Sequence, residues 1–377
     1  MTRSELASAT GLGRSAIKGL VAELAKRRLV VERDGEGTGT AGRPSAVVLP
    51  HHGGVAALAI EIAVDSLAVA TVSLGGHVHA RVRVDRSPGR LAPGRTVEDV
   101  AELAAPLLAR LAEFDIELVG IGASFYGLVS AADGVVRFAP NLPWRDVPLA
   151  GMVADRLVAS VPVLVGNDAD LGALAEHRHV SGTGVHNLLF ISGEVGVGGG
   201  IIVDGRPLRG AAGCGGEVGH VCVNPFGQAC GCGSRGCWET EIGAPALLRR
   251  AGRRAAPSRR RAVDELLRDA SDGAPDALEA LQTVGRWLGI GLAGLVNVFN
   301  PQRVVLGGLH ARTYPYVRDV VLAELDRRAL PPQRAAVEVV PTRLGDDCAL
   351  LGAAELALGP LLAEPLVTIQ ALDREAA

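Results

Sequence analysis

The chain has 377 residues, of which 48% are hydrophobic and 21% charged, with a formal net charge of −3. That balance excludes a disordered or low-complexity protein, and at about 150 residues per domain it allows two or three domains with cores of their own. No run approaches the ~20 apolar residues of a membrane span and the polar start is unlike a secretory leader, so a soluble, cytoplasmic protein is expected. Mild acidity gives no global pull toward nucleic acid, although a small basic module can sit inside an acidic chain. Lysine occurs only at Lys18 and Lys26, the remaining positive charge being Arg, and at 3% aromatics the cores must be filled by aliphatic side chains. Of the 6 cysteines, Cys230, Cys232 and Cys237 crowd together while Cys214, Cys222 and Cys348 lie apart. Without a secretion signal, such a cluster favours a metal over disulfides.

Thr2-Arg3-Ser4-Glu5 has the spacing of a capping box and predicts a short helix through about Ala9. A Gly11-Leu12-Gly13 turn follows, then a second helix with Ile17, Leu20, Val21 and Leu24 on one apolar face. Small Ala7 allows a close crossing, and Ile17 fills the space between the helices. This is the arithmetic of a helix-turn-helix. Arg14, Ser15, Ala16 and Lys18 lie on the opposite face, short or basic residues suited to a major groove. Leu29–Glu32 and Ala46–Leu49 predict a two-stranded wing with Gly42-Arg43-Pro44 at its base, and Arg43 is placed to enter a minor groove. An ordinary helical hairpin with solvated charges would share any one of these features; their order favours DNA binding. A winged helix needs a preceding helix over its core and this chain begins without one. The expectation is a start that lies upstream or an incomplete module.

After His51-His52-Gly53-Gly54, which reads as a linker, Val55–Val72 turns at Gly75-Gly76 into His77–Val84, a strand-turn-strand opening. Thr96 is the expected N-cap of an amphipathic helix from Val97 to Phe114. Buried strands are expected from Leu118 and from Val161, the latter ending in Asn167-Asp168. Leu188–Ser192, the Gly196–Gly200 loop and Ile201–Gly205 repeat the strand-turn-strand theme halfway along. The recurrence points to two related α/β lobes with a cleft between them.

His220, Cys230, Cys232 and Cys237 place one imidazole and three thiols in a short glycine-rich segment. This donor set matches a closed tetrahedral zinc site, whose four protein ligands leave no open position for catalysis. Buried free thiols are the plainer alternative.

On Glu217-Val-Gly-His220, Cys230-Gly-Cys-Gly-Ser-Arg-Gly-Cys237-Trp-Glu239, Pro140-Asn141, Asn167-Asp168 and Asn300-Pro301 through Leu306-Gly-Gly308, the sequence resembles the ROK family (repressors, open reading frames and sugar kinases) over nearly its whole length. The resemblance implies an α/β chain with a winged helix over residues 1–50, its first helix either missing or lying upstream, ahead of a two-lobed hexokinase/actin-like body. The N-terminal lobe would span 53–165, with a helix near 346–363 packing back on it, and the C-terminal lobe with its zinc 166–345. Members with the winged helix are mostly sugar-responsive transcription factors, and shorter ones mostly sugar kinases. By this resemblance a sugar or sugar derivative would touch Asn141, Asn167, Asp168, Glu217, His220 and Glu239, since carboxylates and amides bond neighbouring hydroxyls in pairs. Asp168 would be the catalytic base if the protein were a kinase, and His220 would bind zinc through one ring nitrogen and reach the sugar with the other.

The family's kinases cradle ATP phosphates in an Asp-x-Gly-Gly-Thr turn. Here that stretch reads Glu61-Ile-Ala63-Val64-Asp65, and Glu194 and Val195 stand where Gly and Thr are usual in the second loop. Tyr126-Gly127 replaces a usual Pro-Gly. The reading is therefore a DNA-binding regulator, a repressor, acting as a homodimer or dimer of dimers with structural zinc and a sugar in its cleft. The alternative is an ATP- and magnesium-dependent hexose kinase of glucokinase type. A sugar-binding protein that has lost both activities is a third option.

Overall fold

A computed structural model describes residues 1–34, 46–86, 92–139, 142–193, 196–211, 213–253 and 259–365. Thr2 caps α1 (Arg3–Thr10) with both capping-box bonds: the Glu5 N–H donates to Thr2 Oγ1 at 3.2 Å and the Thr2 N–H to Glu5 Oε2 at 2.7 Å. Gly11, at φ 70°, ends the helix in the left-handed conformation that a Cβ would penalise. In α2 (Arg14–Lys26), Ile17 and Val21 are buried and Leu24 is half-buried. Leu20, expected on the apolar face, is instead 51% exposed, because no described element covers that side of the helix. Strands β1 (Val30–Arg33) and β2 (Val47–Pro50) pair antiparallel, and Arg3 bridges to Glu32, tying α1 to this hairpin. Each strand starts one residue later than expected. Arg43 lies outside the described residues.

The body opens with β3 (Val55–Ile62), β4 (Ser66–Ser73) and β5 (His77–Asp85), three antiparallel strands where two were expected. The unexpected reversal at Ala63–Asp65 contains neither Gly nor Pro, so its turn signal is weak. Next comes α3 (Pro93–Glu113), which starts at Pro93 rather than after Thr96. Pro is favoured at the first helical position, and Thr96 sits inside the first turn, buried. β6 (Glu117–Phe125) is followed by a small unforeseen sheet of β7 (Leu128–Ser130), β8 (Val135–Ala139) and β9 (Trp144–Val147), then by α4 (Leu149–Leu157), β10 (Val163–Asn167) and α5 (Asp168–His179).

The second half repeats the pattern with β11 (Leu188–Gly193), β12 (Val197–Val203) and β13 (Arg206–Pro207). A 3-10 turn (Val218–His220), α6 (Trp238–Ile242), α7 (Ala244–Arg250), α8 (Arg259–Ser271) and α9 (Pro275–Phe299) lead to β14 (Arg303–Gly307), α10 (Gly308–Arg328), α11 (Pro331–Ala336) and β15 (Glu338–Pro341). The 3-10 turn Gly345–Asp347 then introduces α12 (Cys348–Ala363).

Two five-stranded sheets result, ordered β5-β4-β3-β6-β10 and β13-β12-β11-β14-β15. In each, three antiparallel strands are followed by two parallel ones, so one topology occurs twice. Each sheet has its own core: α3, α4 and the small sheet cover the first, and α6 to α10 the second. The parallel strands β10 and β14 end at the starts of α5 and α10, so the C-terminal strand ends of both sheets face the space between them, the usual ligand position in α/β folds. Among the described residues no helix is long and apolar enough to cross a membrane.

Candidate metal centre and ligand cleft

The segment from His220 to Cys237 has little regular structure and is shaped by local bonds. The Cys230 N–H donates to Ser234 O at 2.8 Å, Arg235 Nη1 to Gly227 O at 2.8 Å, and Cys222 bridges Cys237 in a single antiparallel pair. Gly236 has φ 69° and a Cβ there would lie 1.6 Å from Asn224 O, so only glycine fits this knuckle. Trp238, the next residue but one, is 1% exposed and donates from Nε1 to Trp287 O at 2.9 Å, anchoring the loop in the C-terminal core.

The ligating atoms of His220, Cys230, Cys232 and Cys237 all lie within 4.8 Å of one another. Cys232 Sγ and Cys237 Sγ are 3.6 Å apart, and Cys230 Sγ is 3.7 Å from His220 Nδ1. Four tetrahedral donors at Zn–S distances of about 2.3 Å stand about 3.8 Å apart, so the geometry fits zinc. Nδ1 is the nitrogen turned toward the thiols, which leaves Nε2 for other partners. Burial pushes the Cys230 and Cys237 thiols up, whereas the Ser234 backbone N–H draws Cys232 down to about 7. The cluster could hold a metal ion, which would favour the thiolate form of all three cysteines.

Glu239, in the first turn of α6, lies against this cluster, accepting from Cys230 Sγ at 2.9 Å, with its Oε1 3.8 Å from His220 Nδ1. Its other oxygen faces Gly196, just before β12, so the carboxylate stands between the cysteine cluster and the glycine-rich segment. Asn167 caps α5. Its Oδ1 accepts from the N–H groups of Ala169 and Asp170, and its Nδ2 donates to Gly127 O at 3.0 Å. Most of its bonding capacity is therefore internal, and its main effect is to hold Asp168 in place. Asp168 is pushed up to about 8 by burial, with the charges of Glu61, Asp170 and Glu217 adding to the shift. Glu217 is also raised by burial, against the opposing effect of His220. Asp168, Glu217 and Glu239 are thus electrostatically linked carboxyls, with His220 beside the last two. Asn141 lies outside the described residues.

Two further residues, Asp170 and Arg83, join this region without having been foreseen. Asp170 is pushed up to about 7, mainly by burial and then by Glu217, with Arg209 opposing. Its position two residues after Asp168 hid it, since such pairs do not share a helix face. Arg83 on β5 donates from Nη2 to Glu61 Oε2 at 2.9 Å and from Nη1 to Ser66 Oγ at 3.2 Å. Tyr126 OH reaches the other Glu61 oxygen at 3.4 Å. Glu61 is 2% exposed, so this buried carboxylate is paired by a guanidinium rather than left open. Ala63, Val64, Asp65, Arg83, Arg260 and Arg312 help line a cleft of about 810 Å³ here, and a second hollow of about 320 Å³ reaches Asp168, Ser192 and Gly308. Tyr126 and Asp346 border both. Glu194 and Val195 lie outside the described residues.

Arg14, Ser15 and Lys18 are all exposed on α2. The head therefore presents a basic, small-residue face, while its buried side joins the body through Leu29.

Comparison with known proteins places this geometry. The chain is 28% identical over 364 residues to the xylose repressor of Bacillus spizizenii, covering 95% of this chain and 91% of that protein. It is 36% identical over 264 residues to the glucokinase of Streptomyces coelicolor, covering 65% of this chain and 81% of the other. Among solved structures, a ROK family transcriptional regulator, a homologue of the Escherichia coli MLC protein, superposes with a TM-score of 0.74 at 25% identity, covering 94% of this chain and 90% of that one. The ROK family, which holds both kinases and repressors, is matched over residues 57–359, and the chain belongs to it.

Proposed function

We propose that the protein is a sugar-responsive transcriptional repressor that binds operator DNA through α1, α2 and the β1–β2 hairpin and a sugar in the cleft between its lobes. The observation that carries this is the head itself: a capped helix, a left-handed glycine turn and a second helix whose exposed face bears Arg14, Ser15 and Lys18. Likeness to a xylose repressor extends over 95% of the chain, and so into this head, whereas likeness to a glucokinase covers 65%. The sugar would meet Asp168, Glu217, His220 and Glu239, with Asn167 holding the first of these and Asn141 completing the set.

Zinc held by His220, Cys230, Cys232 and Cys237 would fix the imidazole and the neighbouring Glu239, a structural role consistent with four protein donors. Two copies acting together would double the phosphate contacts of a small head and read a two-fold symmetric site. Selection from a random DNA pool, followed by affinity measurements with and without xylose, glucose and amino sugars, tests the proposal. A selected sequence whose affinity shifts with one of these sugars supports it. Failure to select any sequence removes the regulator reading. The second reading, an ATP-dependent sugar kinase, draws its support from Asp168 at the end of β10 and from the glucokinase likeness.

A further inference from the structure

We infer that α12 is a rigid strut linking the ligand end of α5 to α2, with Leu358 and Leu361 positioning the DNA-contacting helix; this rests on the functional reading just given. A 16-residue helix spans about 24 Å, enough to run from the cleft to the head.

At the cleft, the turn leading into α12 is gripped from both lobes. Arg81 and Arg83, on β5 of the N-terminal sheet, pair with Asp347, and Arg83 also donates to Asp346 O. Arg260, on α8 of the C-terminal lobe, pairs with the Asp346 carboxylate. A change in the angle between the lobes must therefore act on this turn.

Along its middle, α12 rests backbone against backbone. A Cβ on Gly352 would lie 1.9 Å from Leu171 O, in the helix that begins with Asp168. A Cβ on Gly122 would lie 1.9 Å from Ala353 O, and one on Gly120 2.8 Å from Ala357 O. Side chains can repack to absorb a small displacement. Where no side chain intervenes, a shift of α5 has to move α12.

At the far end, Ala357, Leu358 and Leu361 form one buried cluster with Val55, Leu74 and Val119, and this cluster receives Leu29. Leu24, in the last turn of α2, packs on its edge. The chain between is fixed as well. The Leu29 N–H donates to Leu24 O at 3.0 Å, the His51 N–H to Leu29 O at 2.9 Å, and Arg28 pairs with Asp115 at 2.6 Å. The head is thus seated on the body, and its seat is the end of α12.

Hydrogen exchange of the full-length protein, read at the Leu29 and His51 amides, tests the strut without requiring DNA or sugar. Asp346→Asn releases Arg260 at the cleft end, and exchange at both amides is expected to rise about two- to fivefold, the scale of one part-exposed ion pair. Arg303→Ala breaks a comparable pair with Glu338 on the other sheet and should leave both amides unchanged. A response confined to residues 343–350, or an equal response in the control, overturns the strut. Leu358→Ala loosens the head end, and because coupling is reciprocal it should also alter exchange at the Ala169 and Asp170 amides. A response at the head alone overturns it equally. If no DNA sequence can be selected, the functional reading fails while these exchange results still decide the strut.

Discussion

Cys230 Sγ lies 2.9 Å from Glu239 Oε1, so a thiol of the metal cluster and a carboxylate of the cleft share a hydrogen bond. A thiolate cannot donate. Metal loading would remove this bond and free the Glu239 carboxylate for other partners, so metal content and the proposed sugar binding are expected to change together. Purified protein is expected to carry one zinc per chain. Cys232→Ser should lose the metal, lower the melting temperature and weaken sugar binding together, because structural zinc in small sites contributes roughly 10 kcal/mol or more. Metal analysis giving well below one zinc with intact, reduced cysteines would count against the site.

The parts legible in the sequence were those whose partners are near in the chain. The Thr2–Glu5 capping box, the α1–α2 turn and the cysteine cluster are each set within a few residues, and both lobes announced themselves by a repeated strand pattern. Features set by distant packing were hidden. Arg83 reads as an ordinary outward residue of an alternating strand until Glu61, 22 positions away, is brought beside it. Asp170 carries no local sign of its role, because nothing near it in the chain shows Glu217 approaching. The reversal at Ala63–Asp65 was missed because it has no Gly or Pro, and a single Asp followed by Ser is a weak turn signal between apolar runs.

Stability should fall as pH rises across the neutral range. Unfolded carboxyls titrate near about 4, whereas burial holds Asp168 at about 8 and Asp170 at about 7. Between these limits the folded chain holds protons that the unfolded chain has lost, so each step upward in pH favours unfolding, by at most ~1.4 kcal/mol per unit and group. Urea midpoints at pH 6 and pH 8.5, with zinc constant, should show the decline, and Asp168→Asn should flatten it. A wild-type midpoint that is level or higher at pH 8.5 would refute this assignment.

Operator binding should separate into two kinds of contact. Lys18→Ala and Arg14→Ala are expected to cost about 1–3 kcal/mol where they meet base edges, and a lost phosphate contact should lower the salt slope by about 1. Arg43→Ala should weaken binding most at A/T-rich minor-groove positions. Half-sites are expected one helical turn or a multiple apart, about 34–36 Å, with a homodimer or dimer of dimers in sedimentation. A monomer selecting an asymmetric site would contradict this arrangement.

Sugar kinase activity is expected to be negligible even though Asp168, the base proposed under the kinase reading, is present at the start of α5. Phosphoryl transfer depends on positioning the γ-phosphate and neutralising its developing charge. In the family's kinases a glycine turn brings backbone N–H groups up to the phosphates, which is possible because no Cβ intervenes. Here Ala63 and Val64 fill that turn with side chains that are 8% and 9% exposed. Asp65 adds negative charge at the same place, and Glu61 is closed off by Arg83 and Tyr126. A polyphosphate there would meet the Ala63 and Val64 side chains and the Asp65 carboxylate in place of a glycine turn, while Glu61 is already committed to Arg83. Restoring the turn alone, by Ala63→Gly, Val64→Gly and Asp65→Thr together, should not recover activity, since the Arg83–Glu61 pair remains. The measurement is a coupled assay with ATP, magnesium and a panel of hexoses, amino sugars and N-acetylated sugars. Turnover on the order of 1 per second or faster, the working range of kinases, would reverse the assignment and make Asp168 a catalytic base.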